Sequence, residues 1–123
     1  MVFRVARHTN NIEALSEFYT KVLNLQVLGE FKDHDHYDGI FIGLEAENWH
    51  LEFTKSNEIA DHKFDEDDLF VFYPETEMDK ILANIEKYGI NKHIPKNPYW
   101  QVNGIQINNP DGHGIIISGL RIK

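Results

Sequence analysis

The chain has no cysteine among its 123 residues, which excludes disulfides, thiolate nucleophiles and cysteine-held zinc or iron–sulfur centres. Its apolar runs are only a few residues long, far short of the roughly 20 needed to cross a bilayer, so a soluble protein with no membrane partner is expected. Cations are scarce: 12 Lys and Arg stand against 20 Asp and Glu, a formal net charge of −8. Nucleic-acid phosphates would repel such a chain, and its cations are scattered instead of gathered on one face, so no nucleic-acid partner is expected. The opening Met1-Val-Phe-Arg-Val-Ala-Arg7 runs straight into strand-like sequence without the charged leader, apolar block and cleavage site of a secretory signal. A cytoplasmic location is the expectation. Also missing are a serine-centred nucleophile elbow, a phosphate-cradling glycine loop and a dinucleotide fingerprint. Gly112-His-Gly114 reads as a turn feature.

What is present is ordinary globular material, 41% hydrophobic and 26% charged, enough for a single domain over residues 1–123. The clearest local signal is Asn109-Pro110-Asp111-Gly112 between two strand-like runs. Proline fixes φ at the second turn position, the Asn and Asp side chains bond nearby backbone, and glycine accepts positive φ at the exit, so a hairpin is predicted. The first half reads as a strand at 2–7, a helix, and strands at 25–31, 40–44 and 49–54. The helix buries Ile12, Leu15, Tyr19, Val22 and Leu23 at three-to-four spacing, with Asn10 and Glu13 as its capping box and Asn24 as its left-handed stop. The second half repeats that order. A strand at 69–73 precedes a helix with Met78, Ile81, Leu82, Ile85 and Tyr88 on one face, capped by Thr76 and stopped by Gly89. Strands follow at 91–94, 104–108 and 114–120. Each half is β-α-β-β-β, and the two caps stand about half the chain length apart, which marks a duplicated unit. Module one covers about residues 1–55, a linker about 56–67, and module two about 68–122. The linker is acidic but lacks the order of a calcium loop, so a solvated connection is expected.

Strand alternation sorts the polar side chains. In residues 49–54, Trp49, Leu51 and Phe53 pack under a helix while His50, Glu52 and Thr54 share the other face. In the first strand Arg4 shares a face with Ala6 and His8. Tyr37, Tyr99 and Trp100 supply amphipathic rings suited to a small-molecule pocket or to capping the core. Asp33-His-Asp-His36 is read as a solvated loop between strands, and His62, His93 and His113 as surface residues.

The ordered set of Glu17-Phe-Tyr-Thr-Lys-Val-Leu-Asn-Leu25, Leu51-Glu-Phe-Thr54 and Asn109-Pro-Asp-Gly112 resembles the vicinal oxygen chelate superfamily over essentially the whole chain. That superfamily includes glyoxalase I, bleomycin-resistance proteins, fosfomycin-resistance enzymes and extradiol dioxygenases. More narrowly, Arg4-Val-Ala-Arg7, Tyr37-Asp-Gly39, His50-Leu-Glu-Phe-Thr54 and Asn97-Pro-Tyr-Trp100 resemble a subgroup of small glyoxalase-like proteins without an assigned activity. The resemblance implies an α+β fold of two β-α-β-β-β modules whose curved mixed sheets surround a half-open cavity, and a homodimer. It also implies a metal held by one His or Glu from the first and last strand of each module. Carried over, those positions are Arg4, Glu52, Asp68 or its neighbour, and Ile116. Arginine keeps its proton and isoleucine has no donor, so the inherited site is broken at two corners and no metal cofactor is expected. The leading expectation is a protein whose cavity binds a small anionic or oxygen-rich molecule through Arg4, His8, Tyr37, His50, Glu52, Asp68 and Trp100. Alternatives are a zinc-, iron- or manganese-dependent lyase, isomerase or dioxygenase using a shifted site of His8, His50 and Glu52, and a module that sequesters a toxic aromatic compound.

Overall fold

The computed structural model describes residues 1–120, so the expected end of module two at residue 122 lies outside the described residues. The chain divides into two compact units, Met1–Asp61 and His62–Lys123, each carrying a four-stranded mixed sheet and helices. The fold is α+β with two open sheets.

In the first unit the order is β1 (Phe3–His8), α1 (Ile12–Glu17) continued by a wider π-helical turn (Phe18–Val22), β2 (Gln26–His34), β3 (Tyr37–Gly43) and β4 (Trp49–Lys55). The sheet runs β1-β4-β3-β2, with β1 parallel to β4 and the remaining pairs antiparallel. The helix packs on β3 and β4, burying Ile12, Leu15, Phe18, Tyr19 and Val22 against Ile40, Ile42, Leu51 and Phe53. Full burial of each such side chain contributes about 1.5–3 kcal/mol. The wide turn begins where the Phe18 backbone N–H is shared between the carbonyls of Ala14 and Leu15. The chain leaves it at Asn24, whose φ of 58° is the left-handed stop the sequence suggests.

The helix cap is the neighbour of the residue expected. Asn11, not Asn10, accepts the Ala14 N–H at 3.0 Å, while Asn10 exchanges two bonds with the Ala60 backbone and pins the end of the unit. Asn11→Ala should therefore lower the unfolding free energy by about 1 kcal/mol through loss of the cap, read by chemical denaturation. The segment 33–36 is also tighter than a loop. Asp35 and His36 both have positive φ (52° and 70°), making a two-residue hairpin turn, and β2 extends to His34.

The second unit has β5 (Leu69–Phe72), a 3₁₀ turn (Glu75–Glu77), α2 (Met78–Lys87), β6 (Lys92–His93), α3 (Pro98–Asn103), β7 (Ile105–Asn108) and β8 (Gly114–Ile117). Its sheet order, β5-β8-β7-β6 with β5 parallel to β8, matches that of the first unit position for position. Ile107, Ile115, Ile116 and Ile117 are fully buried, and α2 adds Ile81 and Ile85. Thr76 does not cap α2: the cap position is Glu77, which makes no capping bond, and the 3₁₀ turn tightens the entry instead. Gly89, with φ of 61°, ends the helix as expected. The helix α3 was not foreseen, although Asn97 accepting the Tyr99 N–H and Pro98 in the first turn are both start signals.

The β7–β8 hairpin closes as the sequence suggests. Gly112 N–H donates to the Asn109 carbonyl, the Asn109 side chain accepts from Asp111 and His113, and Gly112 takes φ of 87°. His113 and His62 are not surface residues. His113 is 4% exposed, stacked on Phe64 at 4.3 Å and tilted against Phe70, and the half-buried His62 also stacks on Phe64, at 5.2 Å. The acidic linker side chains are exposed, yet Phe64 ties its second half into this unit.

Candidate functional site

The register of the first sheet determines which side chains meet. Arg4 lies opposite His50, Ala6 opposite Glu52 and His8 opposite Thr54, while Gly43, Phe41 and Gly39 complete the same rows on β3. All of these sit on the face away from α1, because Ile40, Ile42, Leu51 and Phe53 occupy the other. At Gly39 the Phe31 ring lies across the backbone, and a Cβ there, 2.3 Å from it, would push the ring aside.

Arg4 is the hub of this face. Its Nε–H donates to His50 Nε2 at 3.1 Å, one Nη stands 3.5 Å from the Glu52 carboxylate, and the guanidinium carbon sits 5.0 Å from the centre of the Phe41 ring. An arginine Nε–H can only donate, so His50 Nε2 accepts and the imidazole proton is on Nδ1 while that bond stands. The Arg4 side chain is 51% exposed and that of Glu52 only 12%, so the carboxylate lies below and the cation faces outward. Arg4, Leu28, Phe41 and His50 line a shallow cavity of about 180 Å³. Leu28 and Phe41 were not singled out from the sequence, although Phe41 alternates with Ile40 and Ile42 and so belongs to this face by the period-two rule.

The other expected site residues lie elsewhere. His8 is four residues along β1 from Arg4, about 13 Å at the usual strand rise, and bonds Thr54 and Ser56 with the Tyr37 ring edge-on at 5.8 Å. Asp68 and Trp100 belong to the second unit. Asp68 is exposed and its carboxylate accepts the Asp65 N–H within a turn, while Trp100 lies on α3 with Tyr99 edge-on at 4.8 Å. Ile116 is fully buried, and a Cβ on Gly104 would come within 2.6 Å of it. Among the described residues no three His, Asp or Glu side chains are grouped to hold a metal ion. His8 in particular does not join His50 and Glu52.

Two open mixed sheets with a shared strand order, the parallel first and last strands of each, and one helix after each first strand define the class. The chain has the vicinal oxygen chelate fold, that of trypanothione-dependent glyoxalase I from Leishmania major (18% identity, 96% of this chain and 85% of that one, TM-score 0.73) and of the fosfomycin-resistance protein FosX from Mesorhizobium loti (10%, 97% and 90%, 0.69). Residues 3–54 match the YycE-like N-terminal domain and residues 67–118 the YycE-like C-terminal domain, so the chain belongs to the YycE-like family. The uncharacterized protein YycE of Bacillus subtilis is 35% identical over 119 residues, which is 92% of this chain and 84% of that protein. The crystal structure of a YycE protein of unknown function from Bacillus subtilis superposes with a TM-score of 0.86 at 32% identity, covering 99% of this chain and 91% of that one. No helix among the described residues is long and apolar enough to cross a membrane.

Proposed function

We propose that this protein binds a small oxyanion with an apolar body on the sheet face centred on Arg4, without a metal at the position the superfamily uses. The observation that carries the reading is the half-exposed Arg4 guanidinium, oriented by Glu52 and His50 above the Phe41 ring. Two of its arms are engaged, and its other N–H groups have no partner among the described residues. Stability is a weak reason for such an arrangement, because an ion pair this exposed contributes only about 0–1 kcal/mol. Ligand recognition is a stronger one, since a planar guanidinium suits carboxylates and phosphonates with paired hydrogen bonds.

The residues at the inherited ligand positions do not suit a metal. Glu52 is the only one of the expected type placed on the face, and it already answers a guanidinium; Asp68 serves a turn and Ile116 has no donor. Within this reading His50 offers its Nδ1–H to the ligand, and Leu28 and Phe41 hold its apolar part. A homodimer in the cytoplasm belongs to the same proposal, on the analogy of the superfamily.

Phenylphosphonate is a suitable probe, with a dianionic head for Arg4 and a ring for Leu28 and Phe41. Isothermal titration should show saturable binding, and elemental analysis of the purified protein should find no stoichiometric divalent ion. A stoichiometric metal, or the absence of any binding heat, would overturn the reading. Recovery of the bound compound unchanged after prolonged incubation distinguishes sequestration from turnover.

A further inference from the structure

At the other end of the same face, His8 stands between two hydroxyl groups. Its Nδ1 lies 2.8 Å from Thr54 Oγ1 and its Nε2 lies 3.1 Å from Ser56 Oγ. The parallel pairing of β1 with β4 creates the first contact, because it sets His8 and Thr54 directly opposite one another. The second arises where the chain leaves β4 after Lys55, so that Ser56 is the first residue beyond the strand. Ser56 Oγ accepts the Glu58 backbone N–H at 3.2 Å and keeps its own hydrogen available for donation to His8 Nε2. In the tautomer where Nε2 accepts that hydrogen, the single proton of the neutral imidazole sits on Nδ1 and is donated to Thr54.

Hydroxyl, imidazole base and a group that fixes the base's tautomer are the parts of an activated serine nucleophile. Ser56 is part-buried and therefore reachable, and the Tyr37 ring, 47% exposed and edge-on to His8, offers a flat apolar surface beside it. We propose that Ser56 is a nucleophile activated by His8, taking an acyl group from a small ester, with Thr54 as the positioning residue. Ser56 Oγ attacks the ester carbonyl carbon, forming an O–C bond as its proton passes to His8 Nε2. The carbonyl reforms as the bond to the leaving alcohol breaks, and His8 returns the proton to that alcohol. Water then attacks the acyl-serine with His8 again as base, releasing the acid and restoring Ser56. Neither Ser56 nor Thr54 takes part in the oxyanion site around Arg4, so this site stands or falls independently of the proposed function.

The test uses p-nitrophenyl acetate with the whole chain, followed by intact mass and peptide mapping. In reactions quenched before deacylation, one acetyl group should appear on the peptide containing Ser56 and be absent from Ser56→Ala. His8→Gln should slow acylation by about 10²-fold or more, the usual contribution of a positioned base. Thr54→Val should slow it as well, and Thr54→Ser, which keeps the hydroxyl, should restore it. Thermal melting of each variant separates these effects from loss of fold, and the His8 and Thr54 variants keep the test decisive if Ser56→Ala fails to fold. Acetylation confined to lysines such as Lys55, or an unchanged rate in His8→Gln, would overturn the proposal.

Discussion

Replacing Arg4 with leucine should weaken phenylphosphonate binding by about 10- to 100-fold. Hydrogen bonds to a charged group contribute about 1.5–3 kcal/mol, and each 1.4 kcal/mol is tenfold in affinity. Two effects combine. The ligand loses its charge-matched donors, and the Glu52 carboxylate, 12% exposed and 3.5 Å from the guanidinium in the parent protein, turns from a supported neighbour into an uncompensated negative charge under the bound anion. Arg4→Lys keeps the charge but loses the planar fork and the Nε–H bond to His50, so its affinity should fall between the two. Glu52→Gln removes the repulsion while leaving a hydrogen-bond acceptor for Arg4, and should bind the dianion at least as well as the parent. Titration calorimetry reads all three. An Arg4→Leu affinity equal to the parent's would remove the anion site from consideration.

The largest effect on stability is expected from Phe53→Ala, about 3–5 kcal/mol of unfolding free energy. Phe53 is 1% exposed on the helix-facing side of β4, and its ring stacks on Tyr19 at 5.3 Å with only 25° between the planes. Tyr19 in turn meets Phe18 edge-on at 5.1 Å, so truncation leaves a hole beneath the wide turn that follows α1. Domains of this size are stable by only about 5–15 kcal/mol, so the loss is a large share of the whole. Chemical denaturation should show a lower midpoint, and Phe53→Leu, which refills part of the volume, should recover a substantial part of it. A change under about 1 kcal/mol would mean that the Tyr19–Phe53 stack does not anchor this core.

Much of the architecture can be read from short-range rules, and the departures have specific causes. The Asn109-Pro-Asp-Gly turn is legible because its four residues satisfy one another, as the two bonds to the Asn109 side chain show. The meeting of Arg4 and Glu52 is legible too, since period-two faces and a parallel first-to-last strand pairing bring them to adjacent rows. The cap at Asn11 was misplaced because two consecutive asparagines are equally good formers, and the choice is made by Ala60, distant in sequence. The packing of His62 and His113 depends on Phe64, a linker residue whose partner His113 is 49 positions away in a hairpin, and no local pattern announces it. Within the candidate site, the partition of polar groups into an Arg4 end and a His8 end follows from strand length, which a list of residues sharing one face does not convey. Nothing local marks Ser56, which sits outside any regular element and is brought to His8 only by the register of two strands nearly fifty residues apart.

That register also governs how the molecule is made. In each unit the first strand hydrogen-bonds to the last, β1 to β4 and β5 to β8, with every other element of the module threaded between them. A nascent chain therefore holds Phe3–His8 without its strand partner until Trp49–Lys55 has been synthesised, and the same wait recurs in the second half. Closing a loop of this length is a late, entropically costly step, so each module should fold in one delayed event instead of growing strand by strand. The ribosome would then release this protein as two successive all-or-none closures, and a truncation that removes β4 alone should leave β1 unpaired and the first half collapsed but unformed.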